Sequence, residues 1–346
     1  MLWYDMTGRD NDVVVSSRVR LARNLADYPF AGRLDEKSSR EIIDRVHGVF
    51  EGDTDYKFTD FQSLPELRRI SDCERHLVSR EFAAQKTPCA LISSERDHVY
   101  IMVLEEDHVR IQSILPGAAL EEAYKAASAA DERIDSKLGI AYDEHLGYLT
   151  HCPTNLGTGM RASVMMFLPA LTWNGGIRSL QNQLGKIGLT IRGASGEGSS
   201  ADGCLYQISN QVTLGMSEEE IISKLVSVCG KITDSERELR GRIRDGGEVK
   251  FADRIMRSYG TMLYAQLVDT SEFLKLYADV RLGAAMGMID GLAPQRLDRM
   301  LIHAMPATLM LECDGVKSPA ERDRARADMM RRVLSEPQDS TDKKNK

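Results

Sequence analysis

Long apolar runs are missing from this sequence of 346 residues. No stretch reaches about 18 uninterrupted apolar residues, so no segment is expected to cross a membrane as a helix. Residues 1–12 include acids and no apolar run, so we expect no signal peptide there. Internal repeats and low-complexity tracts are also missing, and the composition, 42% hydrophobic and 28% charged, is that of a globular protein.

Paired cysteine motifs are missing too, although the chain has six cysteines. No two are spaced as Cys-x-x-Cys, which disfavours a zinc knuckle or a redox pair. Scattered cysteines without a secretion signal indicate reduced thiols and a cytoplasmic protein. The glycine patterns of phosphate loops and of dinucleotide-binding sites are absent, so neither type of nucleotide site is expected.

Basic residues are not in excess, since 45 Lys and Arg stand against 52 Asp and Glu, a net charge of −7. An acidic protein has no overall attraction to nucleic acid, so we expect no nucleic-acid partner. Arginine outnumbers lysine, 31 to 14, and codon bias is the simpler explanation of that excess. Because the planar arginine fork suits phosphate and carboxylate, the position of each arginine must decide its role.

Apolar periodicity divides the chain into a mixed part and a helical part. We predict helices over 38–50, 118–137 and 172–187, the first capped by Ser38 or Ser39, and strands over 99–104, 109–115, 147–150, 189–192 and 205–208. Residues 217–220 form a capping box that opens a further helix, and Ser318 caps a last one. The predicted domains are 12–245, mixed, and 248–335, helical, followed by a disordered tail over 336–346.

Two arginines stand close together in the segment 16–23. In a strand, Arg18 and Arg20 point to the same face, where two guanidinium groups repel each other unless an anion lies between them. A polyphosphate would satisfy both. The alternative is a pair of solvated surface arginines.

Three further segments combine residues that suit a site. Residues 105–110 place Glu106 before Arg110, and a solvated turn is the alternative. Cys152 precedes a proline and a polar, glycine-containing loop that ends at Arg161, where nearby arginines would favour a thiolate; the alternative is a core cysteine. Arg192 precedes a loop with three glycines, which suits close approach to a ligand or a surface turn.

Taken together, these segments resemble one family, the guanidino phosphotransferases (creatine and arginine kinases), nearly residue for residue over 16–20, 152–161 and 192–197. The likeness extends over roughly residues 12–240. It implies an α+β fold, in which a large antiparallel sheet flanked by helices is followed by an all-helical C-terminal domain. It also implies transfer of the γ-phosphoryl group of ATP to a guanidino nitrogen.

The resemblance assigns roles to individual residues. It implies that Glu106 and Glu197 hold the substrate guanidinium, one of them as the base, and that the Cys152 thiolate polarises it. The implied ATP-binding residues are Ser16, Ser17, Arg18, Val19, Arg20, His76, Arg110, Arg161, Ala162, Ser163, Val164, Met165, Arg192, Gly193, Ala194, Ser195 and Gly196. Mg²⁺ would bridge phosphate oxygens through water, with no protein ligand. Some arginine kinases carry another arginine where this chain has Ser195.

Within the family, the sequence resembles the bacterial protein-arginine kinases of the McsB type. Small-substrate kinases carry about a hundred residues before the first arginine pair, a domain that grips the amino-acid end of the substrate. Here the pair begins at Arg18, so we expect a site open to a protein side chain. A kinase for free arginine and a phosphoarginine-binding adaptor remain the alternatives.

The branch resemblance also implies regulation and partners. Arg322, Asp323, Arg326 and Ala327 fit the RDxxRA motif, which the branch uses as a regulatory, allosteric phosphoarginine site; a surface ion-pair cluster is the alternative. The implied partners are a small zinc-binding activator, a stress-response repressor and an AAA+ unfoldase–protease that degrades the marked proteins in protein quality control. The methionine-rich C-terminal helices suit a homodimer or a larger assembly, or a plain helical core.

Overall fold

A single large antiparallel sheet organises the chain in a computed structural model, which describes residues 1–193, 202–313 and 315–335. Eight strands form it in the order β2-β3-β4-β5-β1-β8-β10-β9. Its strands are β1 (Val14–Arg23), β2 (Lys57–Asp60), β3 (Ala90–Ser94), β4 (Val99–Val103), β5 (Val109–Pro116), β8 (Met160–Phe167), β9 (Leu189–Gly193) and β10 (Leu205–Asn210). A separate two-stranded ribbon pairs β6 (Tyr142–Asp143) with β7 (Gly147–Tyr148).

Eleven α-helices are present among the described residues, and they cover both faces of the sheet. They are α1 (Glu36–Phe50), α2 (Glu66–Glu74), α3 (Arg80–Ala84), α4 (Leu120–Asp135), α5 (Pro169–Trp173), α6 (Ile177–Lys186), α7 (Glu218–Tyr264), α8 (Thr270–Ala285), α9 (Pro294–His303), α10 (Pro306–Glu312) and α11 (Pro319–Ser335). Within the described part of the chain, no helix is long and apolar enough to cross a membrane.

Each face of the sheet has its own hydrophobic core. On one face, buried residues of α1, α4 and the first half of α7, such as Ile42, Ala127 and Leu225, pack against the strands. On the other face, the second half of α7 and the C-terminal helices pack together with Trp3 and other N-terminal residues. The interior strand β4 is buried along its whole length, in agreement with its continuous apolar sequence.

The α+β architecture with a large antiparallel sheet is confirmed, and so are the predicted strands around β4, β5, β9 and β10. The cap of α1 was wrongly predicted: its N-cap is Asp35, whose side chain accepts a bond from the Ser38 N–H. The single helix over 172–187 was also wrong, because Gly175 adopts a φ of +69° and separates α5 from α6.

One continuous helix joins the mixed and the helical parts. The 47-residue helix α7 begins at a capping box in which Ser217 and Glu220 bond to each other's backbone N–H groups, as predicted. It passes through Gly246 without a break. The domain boundary between 245 and 248 therefore falls inside α7 and stays a prediction, and the tail over 336–346 lies outside the described residues.

Candidate active site

Strand register places the predicted arginines on one face of the sheet. Arg18 and Arg20 are two residues apart in β1, and Arg20 lies directly opposite Arg161 of β8 and Gln112 of β5. Residues directly opposite each other share a face, and so do residues two apart in one strand. Arg110, two residues before Gln112, therefore lies on that same face.

The fifth arginine reaches this face from the edge of the sheet. Arg192 of β9 is opposite Gln207 of β10, which is opposite Met165 of β8. Because Met165 is four residues after Arg161 in β8, Arg192 shares the face as well. Three neighbouring strands, β5, β1 and β8, and the edge strand β9 thus place five arginines on one surface of the sheet, which we call the arginine face.

The arginine face is strongly positive and partly buried. Burial, followed by the nearby guanidinium groups of Arg161 and Arg110, lowers the pKa of Arg18 to about 10. Burial and then Arg18, Arg110 and Arg161 lower the pKa of Arg20 well below its usual value. The buried Nε of Arg20 has no hydrogen-bond partner among the described residues. An anion with several oxygens would relieve this repulsion and supply that partner, so these residues fit the polyphosphate of ATP.

Two adjacent glutamates hold Arg110 in place. Its guanidinium donates to Glu105 Oε1 at 2.5 Å and to Glu106 Oε2 at 3.1 Å. The Glu105 side chain is buried and also accepts from Ser79 Oγ at 2.7 Å, whereas the Glu106 side chain is 37% exposed. Glu105 is therefore an anchor for Arg110 that sequence reasoning missed, and Glu106 keeps an open carboxylate beside the arginine face.

Cys152 lies on a loop that is fixed by its neighbours. Its Sγ is 3.0 Å from Thr154 Oγ1. Thr213, after β10, donates its hydroxyl to Thr154 O at 2.9 Å and to Leu156 O at 2.6 Å. Gly157 has a φ of +99°, and a Cβ built there would lie 2.3 Å from Thr213 O, so only glycine fits.

Asp107 ties the Cys152 loop to the glutamate loop. Its Oδ1 accepts from the His151 N–H at 2.6 Å and from Asn24 Nδ2 at 2.6 Å. Asn24 in turn accepts from the His108 N–H at 2.9 Å. Because Asp107 follows Glu106 and His151 precedes Cys152, this buried carboxylate brings the two predicted catalytic side chains to the same end of the sheet.

His76 lies in a pocket at the arginine face. Arg18, His76, Ser163 and Met165 line this pocket, together with Ser16, Ile114 and Gln207. The His76 backbone has a φ of +61° at the end of α2, and its carbonyl accepts from Gln112 Nε2 at 2.9 Å. The imidazole thus lies beside Arg18, among apolar and hydroxyl-bearing side chains, and its contact with the nucleotide stays a prediction.

Burial, followed by the positive charges of Arg18 and Arg80, lowers the pKa of His76 to about 4. This histidine should therefore contribute to the loss of stability of the fold at low pH. Between pH 6.5 and 4 the unfolded chain protonates this histidine and the folded chain does not. Stability therefore falls as the pH falls, by at most about 1.4 kcal/mol per pH unit. Urea unfolding across this window should show a smaller loss for His76→Gln than for wild type. The exposed His145→Gln is the control, and equal slopes for all three proteins would contradict the assignment.

Some predicted ATP-binding residues point away from the arginine face. Ser17 and Val19 alternate with the arginines of β1, and Ala162 and Val164 do so in β8, so these side chains lie on the opposite face and are buried. Gly193 is the last residue of β9. The predicted residues Ala194, Ser195, Gly196 and Glu197 lie outside the described residues.

The RDxxRA motif lies on α11, away from the sheet. Arg326 is 1% exposed, and its guanidinium donates to Ala304 O, Val268 O, Thr270 Oγ1 and Asp323 Oδ1 at 2.7–3.0 Å. The Asp323 side chain remains 32% exposed, and Arg322 is only partly buried against Met310. The surface of the motif is thus formed by Arg322 and Asp323, while Arg326 holds the helices together.

Metal ligation gives no further signal in this region. Across 1–193, 202–313 and 315–335, no group of three or more His, Cys, Asp or Glu side chains is arranged to hold a metal ion.

Two family models match the chain. Residues 37–239 match the "ATP:guanido phosphotransferase, C-terminal catalytic domain", and residues 248–345 match the "Protein-arginine kinase McsB C-terminal domain".

Known proteins and solved structures give further matches. A "Protein-arginine kinase" of Moorella thermoacetica is 39% identical over 96% of this chain and 97% of its own length, and one of Caldanaerobacter subterraneus is 42% identical over 94% and 98%. A substrate-free duplicated taurocyamine kinase from Schistosoma mansoni superposes with a TM-score of 0.60 at 23% identity, covering 78% of this chain and 40% of that one. A lombricine kinase gives 0.59 at 23%, covering 70% and 72%; at this identity the two structures support the fold alone.

Proposed function

This chain belongs to the protein-arginine kinases of the ATP:guanido phosphotransferase family, and from that premise we propose that it transfers the γ-phosphoryl group of ATP to arginine side chains of proteins. The observation that carries this proposal is the convergence of five arginines on one sheet face, next to the loops of Glu106 and Cys152.

The arginine face supplies the phosphate half of the reaction. Phosphoryl transfer passes through a loose transition state with charge on the equatorial oxygens, so fixed positive groups are the main catalysts. Arg18 and Arg20 are fixed in a central strand, and Arg110 is fixed by Glu105. They need little reorganisation when the charge on the phosphoryl group develops. Mg²⁺, when bound, would be held by the nucleotide and by water and not by a side chain of the described residues, and it would neutralise part of the phosphate charge.

The carboxylates of the site bind and orient the acceptor, which is the guanidinium group of a substrate arginine. A guanidinium is a poor nucleophile, because its pKa lies above about 12, and it must be oriented and deprotonated. We assign Glu106 to one side of the substrate guanidinium and Glu197 to the other, one of them as base. We assign Cys152 to polarise the guanidinium from nearby, without forming a covalent phosphocysteine.

The acceptor is tested with radiolabelled ATP and two substrates, free arginine and β-casein, a disordered protein. The proposal predicts acid-labile label on β-casein arginines and none on free arginine. Label on free arginine alone would identify a small-molecule guanidino kinase instead. Phosphoarginine binding without any transfer would identify an adaptor.

We also propose that the RDxxRA motif binds phosphoarginine as a regulatory site, since Arg322 and Asp323 leave a cation and a carboxylate at the surface. Calorimetry should detect phosphoarginine binding that survives Glu197→Gln and is lost in Asp323→Ala. The reverse pattern would contradict the proposal. Arg326 is unsuitable as a probe, because Arg326→Ala would leave buried carbonyls unpaired and destabilise the fold by about 3 kcal/mol.

The wider setting follows from family membership. We propose a cytoplasmic enzyme whose product marks proteins for an ATP-driven AAA+ unfoldase–protease, with a small zinc-binding activator and a stress-response repressor as partners. We further propose that the chain forms a homodimer or a larger assembly. Sedimentation velocity of the purified chain tests the assembly, and a single monomeric species would contradict it.

A further inference from the structure

A groove of about 390 Å³ lies between the start of β9, which is the edge strand of the sheet, the end of β10 and the first half of α7. Ile187, Val212, Met216 and Val228 contribute apolar lining, and Lys186 and Lys224 contribute charge. Ile187 is 41% exposed and Val212 is 43% exposed. The groove is therefore an apolar surface that is open to an incoming ligand.

The edge strand suits an extended polypeptide as that ligand. Within the described sheet, β9 pairs only with β10, so its other side is not part of any ladder. An unpaired strand edge next to apolar pockets is a common site for an added strand, in which the backbone supplies affinity and alternate side chains fill the pockets.

The charge of the groove favours an acidic partner. Its lining includes two lysines and no acid, although the whole chain has a net charge of −7. Among the described residues, neither Lys186 nor Lys224 has an ion pair. Acidic side chains on a bound segment would supply the missing partners and speed its association.

One wall of the groove continues into the contacts that hold the Cys152 loop of the candidate active site. Val212 lines the groove, and the next residue, Thr213, donates to Thr154 O and Leu156 O in the Cys152 loop. On the other side, β9 begins at the groove with Leu189 and carries Arg192 on the arginine face. Leu189 is three residues from Arg192 and packs in the core on the opposite face of the sheet, so a chain lying in the groove is at the end of the sheet that carries the Cys152 loop, on the face opposite the arginine face.

We propose that this groove binds an extended, apolar and acidic segment of the protein whose arginine is phosphorylated. The proposal rests on the proposed function and gives it a basis for selecting unfolded proteins, because a folded protein buries such segments. The occupant is a segment of the substrate and not a second copy of this chain.

The test compares a long substrate with a short one. β-Casein, disordered, apolar and acidic, offers segments for the groove, whereas a pentapeptide Gly-Gly-Arg-Gly-Gly does not. We expect Val212→Asp and Lys224→Glu each to raise the KM for β-casein about tenfold with kcat unchanged, a change that corresponds to about 1.4 kcal/mol. Turnover of the pentapeptide should stay at the wild-type value. Val226→Asp, at an apolar residue of α7 that is 42% exposed outside the groove, is the matched control.

Binding without ATP separates this proposal from the proposed function. Anisotropy of fluorescein-labelled β-casein should show weaker binding to both groove variants and wild-type binding to Val226→Asp. Equal affinities for all four proteins would overturn the groove proposal while leaving pentapeptide phosphorylation, and so the proposed function, intact. Weaker self-association of Val212→Asp in sedimentation, with β-casein affinity unchanged, would also overturn it, because the groove would then join two copies of this chain. A wild type that binds β-casein but phosphorylates neither substrate would overturn the proposed function, and the groove would then bind a polypeptide that is not a substrate.

Discussion

Glu106→Gln is expected to lower kcat about 10²- to 10⁴-fold while the affinity for ATP remains near the wild-type value. The amide is close in shape to the carboxylate, but it can neither accept a proton nor hold a guanidinium by a charge-assisted bond. Arg110 keeps its contact with the buried Glu105, so the phosphate half of the site stays in place. Steady-state kinetics with β-casein measures kcat, and calorimetry measures ATP binding.

Glu105→Gln is the matched control for this prediction, because both glutamates contact Arg110 and only one is open to the acceptor. Loss of the Glu105 charge should act through Arg110 and appear mainly as weaker ATP binding. If Glu106→Gln kept near-full activity, or lost ATP binding as strongly as Glu105→Gln, Glu106 would not contact the acceptor.

Arg20→Met is expected to change activity and stability in opposite directions. Turnover should fall about 10³-fold, because a guanidinium fixed against the transferring phosphoryl group is lost. The ATP-free protein should become more stable, by about 1 kcal/mol, because a partly buried charge that faces Arg18, Arg110 and Arg161 is removed. Urea unfolding without ATP measures the gain in stability of the variant over the wild type. The same experiment with ATP measures how far the nucleotide stabilises each protein, and this stabilisation should be smaller for the variant.

Arg257→Met is the control, since this exposed arginine of α7 pairs only with Asp253 in the described chain. It should leave turnover and stability within a few tenths of a kcal/mol of wild type. An Arg20→Met protein that is less stable than wild type would mean that the repulsion on the arginine face is already compensated without nucleotide, and the role assigned to that face would be wrong.

The local sequence pattern was sufficient to predict the placement of side chains that lie in a single strand. The alternation in β1 predicts that Arg18 and Arg20 share a face, and the register of β1 agrees. No local pattern brings Arg192 to the same face, because that placement depends on the order of β8, β10 and β9 in the sheet. The resemblance to a family, and not the periodicity of the sequence, predicted that Arg192 belongs to the site.

Residues that act through distant contacts were out of reach of the sequence. Glu105 lies next to Glu106 and is chemically identical to it, and only burial against Ser79 separates the anchor from the open carboxylate. Asp107 joins loops that are 44 residues apart, and no spacing rule indicates such a bond. The change from a mixed to a helical pattern favoured a domain break between 245 and 248, yet α7 continues through Gly246 and packs on both sides of the sheet.

The central claim is that this site moves a phosphoryl group from ATP to the side chain of arginine in a protein. Mass spectrometry of β-casein incubated with the enzyme and ATP, digested and kept at neutral pH, tests it most directly. We expect phosphate on arginine residues, lost on brief acid treatment and missing after incubation with Glu106→Gln. Phosphate found only on serine, threonine or tyrosine, or on no residue of the protein, would contradict the account.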